Sequence, residues 1–349
     1  MLNLPPSGCI SHETATRNRL RLEPAERETN GRCLNQHSAE HKARGREDGK
    51  LTLLVVCLVV GFALNRTGRL PAAGAAALSA YVINLGLPAV AFAYLPHLEF
   101  NQTVLLSIGA PWLMFLIGAG LFWLAGRWLN LARETIGCLM LVGGLANTSM
   151  VGLPMIEVFF GRELLPVGLL IDLLGSYLIL SVVATPIACW YGAEAPPPAG
   201  TMVRQIVAFL PFAATVLALL LSDVPYPPWL QALFERLAGT MAPVALVSIG
   251  CQLGLSGVHN KLRPVLLGLS YKLLLGPAAI FCIYFLMSGT RDPITQITVF
   301  EMAMPPMIAA TVVAMEYDLD PALATLLVTA GIPLAFVTLP LWHFALVAT

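Results

Sequence analysis

The chain has 349 residues, 57% of them hydrophobic and 11% charged, with a mean hydropathy of +0.76. A soluble domain carries about 25% charged residues, so this composition excludes an ordinary water-soluble fold and points to an all-α polytopic protein in a lipid bilayer. Formal net charge is zero and the apolar part has no basic surface, which excludes nucleic acid as a partner.

Residues 1–50 hold 9 Lys/Arg and 7 Asp/Glu without apolar periodicity or a signal-peptide core. They are predicted to be a disordered or non-native tail. His37 and His41 are four residues apart, but no third ligand group follows, so no metal site is expected. The first apolar run, 51–64, is 14 residues long, short of the about 20 needed to cross a bilayer. A clipped first span behind such a tail suggests that the native chain starts differently. Of the seven cysteines, Cys9 and Cys33 lie in the tail; Cys57, Cys138, Cys189, Cys251 and Cys282 lie in apolar runs. With no CxxC pair, they read as free thiols.

Nine further apolar runs follow: 74–95, 103–125, 136–160, 164–190, 205–221, 230–253, 264–287, 294–315 and 322–347. The expectation is therefore ten transmembrane helices. The segment 191–203, with its "APPPAG", is predicted to link one five-helix unit, 51–190, to a second, 204–349. The units are nearly equal in length, and prolines recur at matching places: Pro88 and Pro243 in the second spans, Pro154 and Pro305–Pro306 in the fourth. An odd number of spans per unit turns the second over, giving a 5+5 inverted repeat, a frequent transporter plan. Seven Lys/Arg (Arg66, Arg69, Arg127, Arg133, Arg204, Lys261 and Arg263) fall in the loops of one face, and three (Arg162, Arg236 and Arg291) in those of the other. The positive-inside rule makes the first face cytoplasmic and both termini non-cytoplasmic.

Run 136–160 contains "ANTSMVGLPMIEVFFG", where Gly152 loosens the helix and Pro154 removes a donor near mid-span. Run 294–315 contains "FEMAMPPMIAATVV", with Met304, Pro305 and Pro306 at a similar depth. Irregular backbone is tolerated there only inside protein or beside a wet cavity. Two such broken helices, crossing, would offer N-terminal N–H groups to an anion and C-terminal carbonyls to a cation. Asn147, Thr148 and Ser149 supply side-chain donors and acceptors. The plainer reading is a pair of proline kinks in packed helices; two breaks at matching positions favour a site.

These two stretches resemble the auxin efflux carrier family. Asn147 followed by Gly152 and Pro154 looks like its fourth-span signature, and "AMPPMIAATVVAMEYDLDP" resembles its ninth span and the following Glu316-Tyr317…Pro321. The resemblance covers about residues 51–349. It implies ten spans, the two crossed broken helices, often a homodimer, and similarity in fold to the bile-acid sodium symporters. The lack of a large central loop makes the chain look like a bacterial, malonate-transporter-like member, hence of the inner membrane. The resemblance gives Asn147 the substrate carboxylate and Pro305 the second crossover, with Pro306 where the plant carriers tend to have a polar residue.

Charges inside spans are functional candidates. Lys272 is either a counter-charge or a residue snorkelling toward Arg263. Asp172 is either a proton site or a structural partner. The resemblance to sodium symporters makes Glu301, four residues before Pro305, a candidate for a coupling proton or sodium ion; Glu157 is a candidate for the aqueous mouth. Asn84 lines the cavity or makes a helix–helix hydrogen bond. Gly109, Gly118 and Gly120 read as close-packing positions.

The substrate-binding set is thus Asn147, Thr148, Ser149, Gly152, Pro154, Met304, Pro305, Pro306 and Asn84; the coupling set is Glu301, Asp172 and Lys272. No cofactor is expected beyond a coupling H+ or Na+. Without HExxH, GxSxG or GxxxxGK[ST], neither an enzyme nor a nucleotide-driven pump is predicted. The expected function is gradient-driven transport of a small organic anion by alternating access, either a malonate-like dicarboxylate or an auxin-like aromatic monocarboxylate. The competing reading is a membrane sensor that binds a carboxylate without moving it.

Overall fold

A computed structural model describes residues 52–71, 73–192, 198–252, 261–288 and 292–348. The tail 1–50 with His37 and His41, the middle of the expected linker (193–197) and Arg291 lie outside the described residues. The chain divides into Met1–Leu53 and Leu54–Thr349, and the second unit holds all the long helices.

In chain order the helices are α1 (Thr52–Arg66), α2 (Gly74–His97), α3 (Gln102–Trp128), α4 (133–143), α5 (Thr148–Phe159), α6 (Arg162–Tyr191), α7 (Ala199–Ala208), α8 (Leu210–Leu220), α9 (Pro228–Gln252), α10 (Leu262–Leu286), α11 (Pro293–Met302), α12 (Ile308–Glu316) and α13 (Pro321–Ala348). Six of them, α2, α3, α6, α9, α10 and α13, are long and apolar enough to cross a membrane. The pair α7–α8, bent by 67°, makes a seventh if counted as one span. The protein is therefore an all-α polytopic membrane protein, but the expected ten helices, the 5+5 inverted repeat and the bile-acid-symporter-like fold are overturned.

The reason is physical. Hydropathy counts apolar residues, whereas spanning needs continuous helix at 1.5 Å per residue. Runs 136–160 and 294–315 divide into pieces of 12 residues or fewer, and α1 stays short. Of the expected linker, Ala199 onward is already helical.

The lipid-facing surface carries exposed Leu116, Leu286, Leu341 and Phe344, an apolar girdle that water would not tolerate. Near helix ends, Arg127 lies over Trp123 and Arg133 over Trp190, as expected of interfacial anchors. Inside, the Phe122 and Tyr271 rings meet edge-on at 5.1 Å. A Cβ on Gly118 would lie 2.7 Å from the Tyr271 ring, whereas Gly109 and Gly120 face no atom within 4 Å. Only Gly118 of the three is a close-packing glycine. Cys57, Cys138, Cys189 and Cys251 are buried free thiols, and Cys282 is exposed.

One turn ties one face of the bundle together. Between α12 and α13, Asp318 and Asp320 adopt left-handed backbone angles, φ 55° and 47°, which aspartate tolerates better than most residues. The Asp320 carboxylate accepts from the Leu323 N–H at 3.2 Å, capping α13. It also accepts from Thr135 Oγ1 of α4 at 2.8 Å and from Lys261 Nζ just before α10. Burial opposes its charge, but the hydrogen bonds from Lys261, Thr135 and Leu323 outweigh this and hold the carboxyl below the usual carboxylate range. A depressed folded-state value stabilises the fold above the unfolded value, about pH 4, and that contribution is lost as pH falls through the folded value. Asp320→Ala should cost about 2 kcal/mol at neutral pH, read as a lower thermal midpoint in detergent. The gap to wild type should close below about pH 4.

Candidate functional site

The site begins with two interrupted helices. Pro305 and Pro306 cannot donate to a helical ladder, and Met304, preceding a proline, is pushed away from helical angles. Accordingly α11 stops at Met302 and α12 starts at Ile308. The other interruption, 144–147, precedes the expected break at Gly152 and Pro154. The chain is helical through both residues. Pro154 is the seventh residue of α5 and directly follows a widened turn, Thr148–Gly152, in which the Gly152 N–H reaches back to the Asn147 carbonyl at 3.1 Å; that turn accommodates the proline ring. Asn147 sets the start: its Oδ1 accepts from the Met150 N–H at 3.3 Å.

The two interruptions pair with each other. Ala146 and Pro306 form an antiparallel bridge. The Asn147 N–H donates to the Pro305 carbonyl at 2.9 Å, and the Met307 N–H to the Leu145 carbonyl at 3.1 Å. The broken backbone thus satisfies itself inside the protein.

Beside this bridge is a cavity of about 300 Å³. From α5 and its cap come Asn147, Ser149 and Met150; from α6, Asp172, Tyr177 and Leu180; from α2, Ser79, Ile83 and Leu87. Met307, Ile308, Ala309 and Val312 at the start of α12 complete it with Phe209 from the α7–α8 bend. The starts of α5 and α12 therefore reach one cavity. Helix N-termini carry partial positive charge and spare N–H groups; at the start of α5 the Met150 N–H is taken by Asn147, and the Ser149 N–H and hydroxyl by the Asp172 carboxylate. Asn147 Nδ2 is buried without a hydrogen-bond partner among the described residues. Its Oδ1 being engaged fixes the amide nitrogen as a free donor. No Lys or Arg is among the lining residues, and Tyr177 stacks on Phe209 at 4.1 Å.

Of the residues singled out from sequence, Asn147, Ser149 and Asp172 come together on the cavity wall. Thr148 stands behind them, donating to Asp172 Oδ1 at 2.5 Å. Pro154, Met304, Pro305 and Pro306 are buried but do not line it. Asn84 is exposed and donates back to the Ala80 carbonyl at 2.9 Å. Glu157 pairs with Arg162 at 2.6 Å near the surface. Asp172 and Lys272 both sit on widened helical turns, Ile171–Tyr177 and Tyr271–Leu275, a distortion often found at functional sites. Sequence reasoning missed Ser79, Tyr177, Phe209 and Met307. Met307 had a signal, being the residue after two prolines; Ser79 had none.

Glu301 lies behind the cavity, fully buried, with both carboxyl oxygens unpartnered among the described residues. Gly152 has ordinary helical angles, so it is needed for space rather than conformation. A Cβ there would lie 2.6 Å from Glu301 Oε1 and 2.7 Å from Cδ. Gly168 faces the same carboxyl, at 3.4 Å from Oε1. Lys272, also fully buried, donates to the Met302 carbonyl at 2.8 Å. Among the described residues, no three His, Cys, Asp or Glu are placed to hold a metal.

The sequence matches the family described as "Membrane transport protein" over residues 50–197 and 199–343. An uncharacterised transporter of Methanothermobacter thermautotrophicus is 25% identical over 307 residues, covering 86% of this chain and 99% of the relative. An uncharacterised transporter of Methanocaldococcus jannaschii is 20% identical over 303 residues, covering 84% and 97%.

Gly152→Ala should cost about 1–3 kcal/mol by driving a methyl group into the Glu301 carboxyl. Glu301→Ala in the same chain should recover part of that loss, because the two changes touch. Thermal midpoints of the single and double variants test the pairing; strictly additive losses would refute it.

Proposed function

We propose a function from the premise that the chain belongs to the membrane transport protein family: it is a gradient-driven carrier of a small organic carboxylate. The observation that carries this reading is the cavity where the starts of α5 and α12 meet the free amide donor of Asn147. Neutral donors and helix dipoles hold an anion without a tight ion pair. A carrier needs that, because its cargo must leave as readily as it enters. Thr148 and Ser149 belong to the same turn, and Thr148 holds Asp172 at its edge. Met304, Pro305 and Pro306 act indirectly, by placing Met307 and Ile308 on the wall.

The wall also bears on the cargo. Its polar lining residues are Asn147, Ser149, Asp172, Ser79 and Tyr177, while Ile83, Leu87, Met150, Leu180, Phe209 and Val312 make most of the rest apolar. A second carboxylate set on that apolar part would lose its hydration without a partner. This favours one carboxylate on an apolar body over a malonate-like dicarboxylate. The volume is at the small end of ligand sites. Alternating access would expose the cavity to each face of the membrane in turn. A carboxylate sensor would bind in the same place without moving its ligand; saturable flux separates the two.

Labelled malonate and indole-3-acetate should be compared in proteoliposomes containing the full chain. Asn147→Ala removes the donor to the carboxylate, worth about 1.5–3 kcal/mol, and should raise KM roughly tenfold to a hundredfold. An unchanged KM would place the site elsewhere.

A further inference from the structure

Among the described residues, Glu301 and Lys272 are a carboxyl and an amine with no exposure at all that do not line the cavity. Glu301 is next to last in α11, immediately before the second interruption. Its carboxyl rests on Gly152 and Gly168, and neither oxygen accepts a hydrogen bond among the described residues. An ionised carboxylate so placed bears the desolvation penalty of a buried charge with no contact to repay it. Lys272 does not touch it. Its Nζ donates instead to the carbonyl of Met302, the residue after Glu301, with Met114 Sδ of α3 at 3.9 Å.

The surrounding elements leave few alternatives. From α6 comes Asp172 and from α10 Lys272, both interacting electrostatically with Glu301. Tyr271 of α10 donates to the Met114 carbonyl. From α13 comes His343, whose ring faces Phe300 at 6.3 Å. Glu157 of α5 is paired with Arg162.

We propose that Glu301 is a proton-binding site separate from the anion cavity, with Lys272 as its switchable counter-charge. As the acid, Glu301 needs no ionic partner, which suits the arrangement in the structure. When the proton passes to water, the carboxylate needs one, and its charge draws Lys272 Nζ away from the Met302 carbonyl to which it now donates. That carbonyl closes α11 at the interruption whose other end, Met307–Ile308, lines the cavity. Proton occupancy thereby acts on the cavity through the five residues 303–307. The proton is taken from water at one face and returned to water at the other; no other bond changes. The proposal rests on the carrier reading, to which it adds the driving ion.

The test uses the full chain in proteoliposomes with labelled malonate and indole-3-acetate, with and without an inward-directed proton gradient. Wild type should carry one of these anions several-fold faster with the gradient. Glu301→Gln should bring that ratio close to one, and Glu301→Asp, which keeps a carboxyl, should restore part of it. A wild-type ratio of one, or an unchanged ratio in Glu301→Gln, overturns the proposal and leaves the carrier reading standing. If neither anion moves, the carrier reading fails for both, and a substrate-free measurement still decides the proton site. In infrared difference spectra of the full chain on a pH step, the carboxylic-acid carbonyl band should vanish in Glu301→Gln and persist in Asp172→Asn. The reverse pattern would put the proton on Asp172 and overturn the assignment.

Discussion

Two backbone hydrogen bonds, Asn147 to Pro305 and Met307 to Leu145, carry the rest of the arrangement. In a bilayer every N–H and C=O must find a partner within the protein. Each interrupted helix by itself would leave several groups unbonded at the depth where that costs most. Together they supply what the other lacks. The pairing fixes the relative position of α5 and α12, and hence brings two helix starts to one cavity. Asn147 takes part twice, by its main chain in the bridge and by its side chain as the cap of α5.

Around this bridge the polar groups separate into two sites. On one side are neutral donors and the Thr148–Asp172 pair, open to a cavity; on the other are Glu301 and Lys272, sealed from it. Gly152 joins them. Its missing side chain lets the α5 turn that forms the cavity rest directly on the Glu301 carboxyl. A change in the charge of that carboxyl is felt by the cavity wall without passing through solvent.

Three of the residues that line the cavity, Asn147, Ser149 and Asp172, were legible because membrane burial makes polar and helix-breaking residues conspicuous. Asn147, Asp172, Glu301, Lys272 and the Pro305–Pro306 pair all stand out against apolar sequence, and each has a defined place. The location of the first break was misread. Pro154 looks like a breaker, but the widened turn before it accommodates the ring, and the cap residue Asn147 sets the start. The helix count failed because hydropathy does not register where a ladder is interrupted; an apolar run of 25 residues and two apolar pieces of half that length read alike. Ser79, Tyr177 and Phe209 were not legible, since only packing brings α2, α6 and the α7–α8 bend to one wall. Asn84 was conspicuous for its polarity, yet it satisfies its own helix at Ala80.

The bridge has an evolutionary corollary. Its bonds are made by main-chain atoms, so they specify little about the side chains they carry. Ala146 and Leu145 could be exchanged for other residues of similar size without dissolving the crossing, and Met307, which borders the cavity, could be replaced by a larger or more polar residue. The scaffold therefore tolerates drift at the positions that shape what is carried. A lineage can explore new cargoes by single substitutions beside an unchanged backbone joint, with no intermediate that loses its place in the membrane.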